Sequence, residues 1–511
     1  MNISMLTILV CIASLSPLLT LATLWQKKEW RIDRIKEHMR SNGWLRQTFG
    51  VIRPVIVVSS IASSRINLPL SGLVIGVYAL AGMSLLQILS RRQRMPVWTI
   101  KAIALCSLSL LMNALTIEWH LTAYINYFLP PYAPVLLPVL QIIPLTVSWV
   151  IFLPVDIALK KRIMKKATEL RSSFNNLTSI GITGSVGKTT TKELIAHLLK
   201  QKNVLYTPAY VNSEMGVAKW LLKELPKHDK DKDLILIVEM GAYRMGEIEN
   251  LCKITKPSIG VITYIGTQHI ALFGSQERLQ KAKGELFTSL PKSGHAFFNA
   301  DCEPCAKAAG NIDCNKTSVG TANSCTIKAQ DIEEMSNGIR FSAEGQKYSV
   351  PLYGTHNTTN VLLAIGVAKL IGLQKSDIAK SLATFSPPHS TFSVRTEKGI
   401  TLLDDTHNAS PESFRAAIAW AKSQPARNKI LVTPGLIEQG EAEDRIHMEL
   451  GTQSNTIFSR VIFTGKHGID AFAKGYTGPV EQYSKHTLPA ANGDLLVCIG
   501  RVSPTVINHI V

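Results

Sequence analysis

Acidic side chains are scarce in this chain: 37 Asp and Glu stand against 55 Lys and Arg, a formal charge of +18. The imbalance is local. Residues 1–171 hold 19 basic against 6 acidic residues, and the remaining 340 hold 36 against 31. The basic clusters sit beside uncharged apolar runs, so positive-inside membrane topology accounts for them better than nucleic-acid binding, and no nucleic-acid partner is expected. No acidic or paired ionisable residue falls within the clearest apolar runs, which gives no pattern for an ion pathway. Of the eight cysteines, Cys302 and Cys305 make a single CxxC. Without a second matching pair this falls short of zinc-site spacing and fits reduced thiols. Neither an internal repeat nor a low-complexity tract is present.

What the first third does have is length of apolar sequence. A helix needs roughly 20 apolar residues to cross a bilayer core. Residues 5–25, 66–90 and 134–155 meet that length, 102–117 falls slightly short, and 54–64 is shorter still. The run at 5–25 has no basic n-region and is followed by more apolar segments, so it reads as a retained anchor rather than a signal peptide. Eight basic residues lie between Lys27 and Arg53, three at Arg91, Arg92 and Arg94, and six between Lys160 and Arg171. Placing all three clusters in the cytosol requires five crossings, with the amino terminus outside and everything after about residue 157 inside. The expected division is a membrane region of four or five helices (1–156), a basic linker (157–177), a central domain (178–388) and a C-terminal domain (389–511).

From residue 178 short β-branched runs alternate with amphipathic stretches. SIGIT (179–183), LILIVEM (234–240) and IGVITYI (259–265) read as buried strands, and 190–200 and 360–372 as helices. That alternation predicts a parallel sheet covered on both faces. A Pro- and Ser-rich stretch near 374–390 suits a linker. ITLLDD (400–405), a helix over 411–422, KILVTPG, RVIFTG and LLVCIG then predict a second, smaller α/β unit. The fold class is α/β: transmembrane helices, a P-loop central domain and a Rossmann-like C-terminal domain.

GITGSVGKTTTKE (181–193) follows one of these strands and opens a helix, the context a phosphate loop requires. Its form is TGxxGKTT, with Ile182 where the common pattern has its first glycine. Backbone amides from Gly184 to Lys188 would cradle phosphates, Lys188 would neutralise their charge, and the Thr189 hydroxyl would meet magnesium.

This loop resembles that of the Mur ligases, and the resemblance continues through residue 511. It implies nucleotide contacts from Gly184, Ser185, Val186, Gly187, Lys188, Thr189 and Thr190. VEMGAYRMGEI (238–248) resembles the segment whose glutamate, here Glu239, ligates magnesium. TQHIALFGS (267–275) supplies His269 for a second magnesium, and KAKGELF (281–287) supplies Lys283, which the resemblance implies is carbamylated into a metal ligand. FFNADCEP (297–304) matches the family's NAD turn. YGTHNTTN (353–360) implies adenine contacts from Asn357 and Asn360, and LLDDTHNASPESF (402–414) implies Asp405, with Asn408 nearby, on the nucleotide side. VNSEMGV (211–217) implies substrate contacts from Asn212 and Ser213. The wording of these segments is most similar to the subfamily that adds D-alanyl-D-alanine to a nucleotide-linked muramoyl peptide.

Three departures stand out. Membrane helices precede the P-loop where that subfamily has a soluble domain for the uridine-nucleotide end of its substrate. Thr391 stands near the family's arginine, with Arg395 as the nearest substitute. His407 replaces a tyrosine. The resemblance implies a ligase that uses ATP and Mg²⁺, with Lys188, Lys283, Glu239 and His269 as its catalytic set. It would act through an acyl phosphate on a small-molecule or lipid-linked peptide precursor, with an amino acid or dipeptide as amine donor. The setting would be the cytosolic face of the membrane. A Mur-type ligase for another acid and a membrane ATPase are the alternatives.

Overall fold

The structure is a computed structural model that describes residues 3–511 apart from 43–47, 67–70, 128–130, 267–269, 323, 336, 388–390, 407–408, 437–438, 440–441 and 467. It divides into two compact units, Met1–Lys161 and Arg162–Val511.

The first unit is helical. Its principal helices are Ile3–Lys27, Ile52–Ile66, Ser71–Leu89, Ile100–Tyr127 and the portion of Ile142–Ser172 up to Lys161. The polarity of this bundle is inverted. Ser14, Asn113 and Gln141 are buried and bonded to one another (Asn113 Nδ2 to Gln141 Oε1, 3.0 Å; Gln141 Nε2 to Ser14 Oγ, 3.2 Å). Leu86, Leu89, Ile100 and Trp119 face outward, 66–86% exposed. Contiguous outward apolar surface of this kind marks a membrane or partner interface. Four helices are long and apolar enough to cross a bilayer: Ser4–Lys27, Gly72–Leu89, Ile100–Tyr124 and Ile142–Ser172.

Three expectations change here. The run read as a crossing at 134–155 is broken: Ala133–Leu136 forms one turn, and the long helix starts only at Ile142. Pro138 removes a backbone donor and ends the short turn, and Pro144 sits in the opening turn of the next helix, where it is tolerated. The segment at 54–64 is a helix of 15 residues, Ile52–Ile66, about 22 Å long at 1.5 Å per residue and shorter than the bilayer core. The stretch read as a basic linker is helical through Ser172.

The second unit holds two sheets. The larger orders its strands β2-β3-β1-β4-β5-β6-β7-β8-β9, where β1 is Leu177–Thr183, β2 Val204–Tyr206, β3 Leu234–Glu239, β4 Ile259–Ile262, β5 His295–Asn299, β6 Asn315–Gly320, β7 Ile327–Met335, β8 Gly338–Ala343 and β9 Gln346–Val350. Pairing is parallel from β2 to β7 and antiparallel through β8 and β9. All six residues of β3 are buried, as an unbroken apolar run covered on both faces requires. The smaller sheet orders β10-β11-β15-β12-β13-β14, with β10 Ser393–Glu397 antiparallel and the rest parallel: β11 Ile400–Asp405, β12 Lys429–Thr433, β13 Arg460–Phe463, β14 Val480–Gln482 and β15 Leu495–Ile499. The stretch read as a linker over 374–390 contains the helix Lys375–Leu382, so the irregular connection begins at Ala383.

In open parallel sheets, ligands bind beyond the carboxyl ends of strands where the strand order reverses. In the larger sheet that point lies among β3, β1 and β4, because the chain leaves β1 toward β2 on one side and returns with β4 on the other.

Candidate active site

The loop after β1 enters the helix Lys188–Leu198 through Gly187, which is the N-cap at φ +86° and offers no side chain to the helix's free amides. Those first amides have no intrahelical acceptor and, with the helix dipole, favour an anion. A side chain at either loop glycine would collide with a neighbour. A Cβ on Gly184 would lie 2.1 Å from Thr263 Oγ1, and one on Gly187 would lie 2.4 Å from Asn360 Oδ1. The loop is also tied to the end of β4: Ser185 N donates to Tyr264 O at 2.6 Å, and Gly266 N donates to Ser185 Oγ at 3.2 Å.

Lys188 folds back over this loop, and its ammonium donates to the carbonyls of Gly184 (2.9 Å) and Ser185 (3.1 Å). Burial lowers its pKa, and the charge of Glu239 works against that shift. Glu239 ends β3 and is buried. Its Oε2 accepts from Thr189 Oγ1 at 2.9 Å and its Oε1 from Asn212 Nδ2 at 3.1 Å. A buried carboxylate is costly without a cation, and here Lys192 Nζ stands 3.7 Å from Oε2. Lys192 is fully buried and also meets Glu193 at 3.1 Å. The sequence reading did not single out Lys192. The available signal was its spacing, one helical turn after Lys188 on the same face.

Lys283, on the helix Gln276–Thr288, is buried and its pKa is lowered to about 7. Burial is the main cause and repulsion from Lys188 the second, with Glu247 and Glu285 opposing. Its amine therefore gives up its proton far more readily than that of a solvated lysine.

From the smaller sheet come Thr391 and Asp405, which with Ser410 and Ser413 close the cleft over Ser185, Val186, Gly187, Lys188, Thr189 and Thr190. Asp405 ends β11. Its Oδ1 accepts from Phe392 N at 3.1 Å, whereas Oδ2 is buried with no partner. Burial and the neighbouring Asp404 raise its pKa to about 7. Arg395 is not in the cleft lining: its guanidinium is held by Asp404 (2.8 Å) and Glu397 (2.6 Å).

Thus Lys188, Thr189, Glu239, Asn212 and Asp405 lie at one cleft, with Lys283 close enough to feel the charge of Lys188. Ser213 stands next to it as the N-cap of the helix Glu214–Glu224, accepting from Gly216 N. Asn357 and Asn360 lie behind the loop rather than in the cleft lining. Asn360 Nδ2 donates to Asn357 Oδ1 at 2.8 Å, and Asn360 Oδ1 accepts from Thr191 Oγ1 at 3.3 Å. His269, His407 and Asn408 fall outside the described residues. Among the described residues no three His, Cys, Asp or Glu side chains form a ready-made metal cluster.

The residues present fit a magnesium nucleotide. An uncapped helix start and Lys188 suit phosphate, and the Thr189 hydroxyl and Glu239 carboxylate offer the oxygen ligands that a hard cation takes. The partnerless Asp405 Oδ2 can accept a hydrogen bond from a ligand hydroxyl.

The sequence profile of the Mur ligase middle domain matches residues 182–368. The UDP-N-acetylmuramoyl-tripeptide–D-alanyl-D-alanine ligase of Escherichia coli (strain K12) is 31% identical over 333 residues, covering 61% of this chain and 72% of that protein. The ligase of the same description from Synechocystis is 33% identical over 302 residues, covering 58% of this chain and 64% of that protein. The chain thus spans just under two thirds of the Synechocystis relative. Among solved structures, the MurF ligase of Thermotoga maritima in complex with ADP superposes with a TM-score of 0.60 at 25% identity, over 69% of this chain and 82% of that one. MurF from Acinetobacter baumannii gives 0.62 at 23% identity, over 69% and 80%, a likeness of fold.

Proposed function

From its membership of the Mur ligase family, to which this chain belongs, we propose that it is an ATP- and magnesium-dependent ligase. It joins the carboxylate of a cell-wall peptide precursor to D-alanyl-D-alanine or a related amine, at the cytosolic face of a membrane that residues 1–156 span. The observation that carries this reading is the meeting of Thr189 and Glu239, 2.9 Å apart, beside Lys188 at the start of an uncapped helix. The membrane setting is supported by four sufficiently long apolar helices.

Amide formation in water is uphill, and a carboxylate is a poor electrophile. Bound ATP with its magnesium would supply the phosphoryl group that turns the acceptor carboxylate into an acyl phosphate with a good leaving group. The chain's own contribution is positioning and charge. The helix amides and Lys188 hold phosphate oxygens, and in this low-dielectric cleft such preorganised donors contribute most where charge develops. Glu239, braced by Asn212, holds its carboxylate toward Thr189. With its pKa brought down by burial, Lys283 more readily presents the nucleophilic lone pair that carbamylation by carbon dioxide needs. Thr391, Ser410 and Ser413 close the cleft from the smaller sheet and exclude water that would hydrolyse an activated acyl group.

The test is phosphate release from ATP with D-alanyl-D-alanine and either a nucleotide-linked or a lipid-linked muramoyl peptide. Stimulation by one acceptor is expected, with Lys283→Ala abolishing ligation while nucleotide binding persists. Inactivity with both acceptors removes this reading. The apolar helices that stand where the subfamily has its uridine-nucleotide domain favour a second reading, a Mur-type ligase for another acid, which the same assay with a panel of acids addresses.

A further inference from the structure

Arg53 stands in the first turn of the helix Ile52–Ile66. A long cationic side chain near a membrane surface ordinarily extends toward water. This one turns inward. Its Nη2 donates to Ser16 Oγ at 2.8 Å and to Gln87 Oε1 at 2.7 Å. Ser16 is fully buried and lies eleven residues before Lys27, the end of its helix. Ser16 also bonds Gln93 Oε1 at 2.6 Å, and Gln93 Nε2 reaches Thr20 Oγ1 at 3.0 Å. These bonds draw the loop carrying Arg91, Arg92 and Arg94 toward the same point.

Both acceptors of Arg53 are neutral, and among the described residues none of the four arginines has an acidic partner. Positive-inside topology accounts for the exposed arginines of the loop, but not for a guanidinium pinned inward on an amide and a hydroxyl. An ionisable group left uncompensated among apolar helices is costly and marks a functional site by default. Nη1 and Nε of Arg53 have no hydrogen-bond partner among the described residues. A guanidinium fixed at one nitrogen presents the rest of its donor fork, whose geometry matches the oxygens of a phosphate. Around it the surface is apolar: Val51, Ile52, Val55, Leu86 and Leu89 are 61–78% exposed. A ligand reaching this guanidinium therefore combines an apolar body with an anionic head.

We propose that Arg53, oriented by Ser16 and Gln87, binds the phosphate group of an anionic lipid. The inference goes beyond the ligase reading and depends only on the membrane-spanning part of it.

The full chain in neutral detergent is titrated with phosphatidylglycerol, phosphatidylcholine or inorganic phosphate and examined by native mass spectrometry. The variants are Arg53→Gln, Arg53→Lys and the exposed double change Arg91→Gln/Arg92→Gln. The expected result is at least tenfold preference of the unaltered chain for phosphatidylglycerol over phosphatidylcholine. That preference is lost in Arg53→Gln, reduced in Arg53→Lys and kept in the loop variant, which loses more charge. Persistence of the preference in Arg53→Gln, or its loss in the loop variant, overturns the proposal. Inorganic phosphate binding as tightly as the lipid overturns the lipid source. Flotation of every variant with phosphatidylcholine vesicles separates the two readings: failure of all to float removes the membrane reading, whereas flotation without lipid preference removes only this one.

Discussion

The contact between Glu239 and Lys192 can be tested without nucleotide or metal. The two charges lie 3.7 Å apart, and both residues are buried. At an effective dielectric of about 20 the attraction is roughly 4.5 kcal/mol. Glu239→Gln keeps the size and can still accept from Asn212 through its amide oxygen, while its amide nitrogen can only donate to the Thr189 hydroxyl, so one bond is kept, one reverses and the charge is gone. Breaking a buried pair from one side costs about 3–5 kcal/mol because the other ion is stranded. Here Glu193 still stands 3.1 Å from the ammonium, so the expected loss is about 2 kcal/mol. Lys192→Met alone should cost about 1 kcal/mol, since Glu239 keeps two neutral donors. The double variant should recover part of the loss, giving a coupling of about 1–2 kcal/mol. The assay is thermal unfolding in detergent with a chelator present. Losses that add within about 0.5 kcal/mol would refute the argument, since independent sites add to that tolerance. Magnesium nucleotide should then raise the melting temperature of the unaltered chain and leave Glu239→Gln nearly unmoved.

Lys283 predicts a pH dependence. Its folded pKa is lowered to about 7 from 10.5, so between those values the unfolded chain binds more protons and stability rises with pH across that window. Lys283→Met should flatten this rise in melting temperature measured from pH 7 to pH 10; an unchanged slope would show that the amine is not desolvated. Gly187→Ala forces a left-handed residue against Asn360, whose Oδ1 would lie 2.4 Å from the new Cβ. It should cost about 1–3 kcal/mol and abolish binding of a fluorescent ATP analogue. Adding Asn360→Ala should restore part of the stability, and an undiminished affinity in Gly187→Ala would disprove the loop's role.

Most of the second unit is legible in the sequence because its strands are buried on both faces. LILIVE at β3 and LLVCI at β15 contain no alternation to confuse with a half-exposed strand. The P-loop is legible because glycines mark the two points where a Cβ would collide. Lys192 is not, because a lysine in a helix reads as solvated. The helix Lys188–Leu198 lies against both the sheet and the helix Asn357–Leu370, so even Thr191 and Lys192 are enclosed. The asparagines of YGTHNTTN are ambiguous for a related reason. An amide suited to reading a base edge is equally suited to internal bonding: here Asn360 donates to Asn357, Asn357 donates to Tyr353 O, and Thr191 donates to Asn360. In the helical unit, apolar content alone hides a break that only the proline spacing around Pro138 discloses.

The two sheets meet through their functional edges: Glu239 ends β3, the phosphate loop follows β1, and Asp405 ends β11. The cleft between them has a volume of about 130 Å³. Ligand sites usually run from about 300 to 1,000 Å³. Movement of the smaller sheet away from the phosphate loop would widen the cleft for a nucleotide and two further reactants. Tyr353, Phe392 and Trp420 form a seam beside the cleft, with ring centroids 6.0 and 6.3 Å apart about Trp420. Such edge-on contacts tolerate rotation better than the hydrogen-bonded ladder of a sheet does. Motion about that seam would separate Thr391 and Asp405 from the phosphate loop while leaving each sheet whole. Substrate entry and water exclusion would then be two positions of one joint.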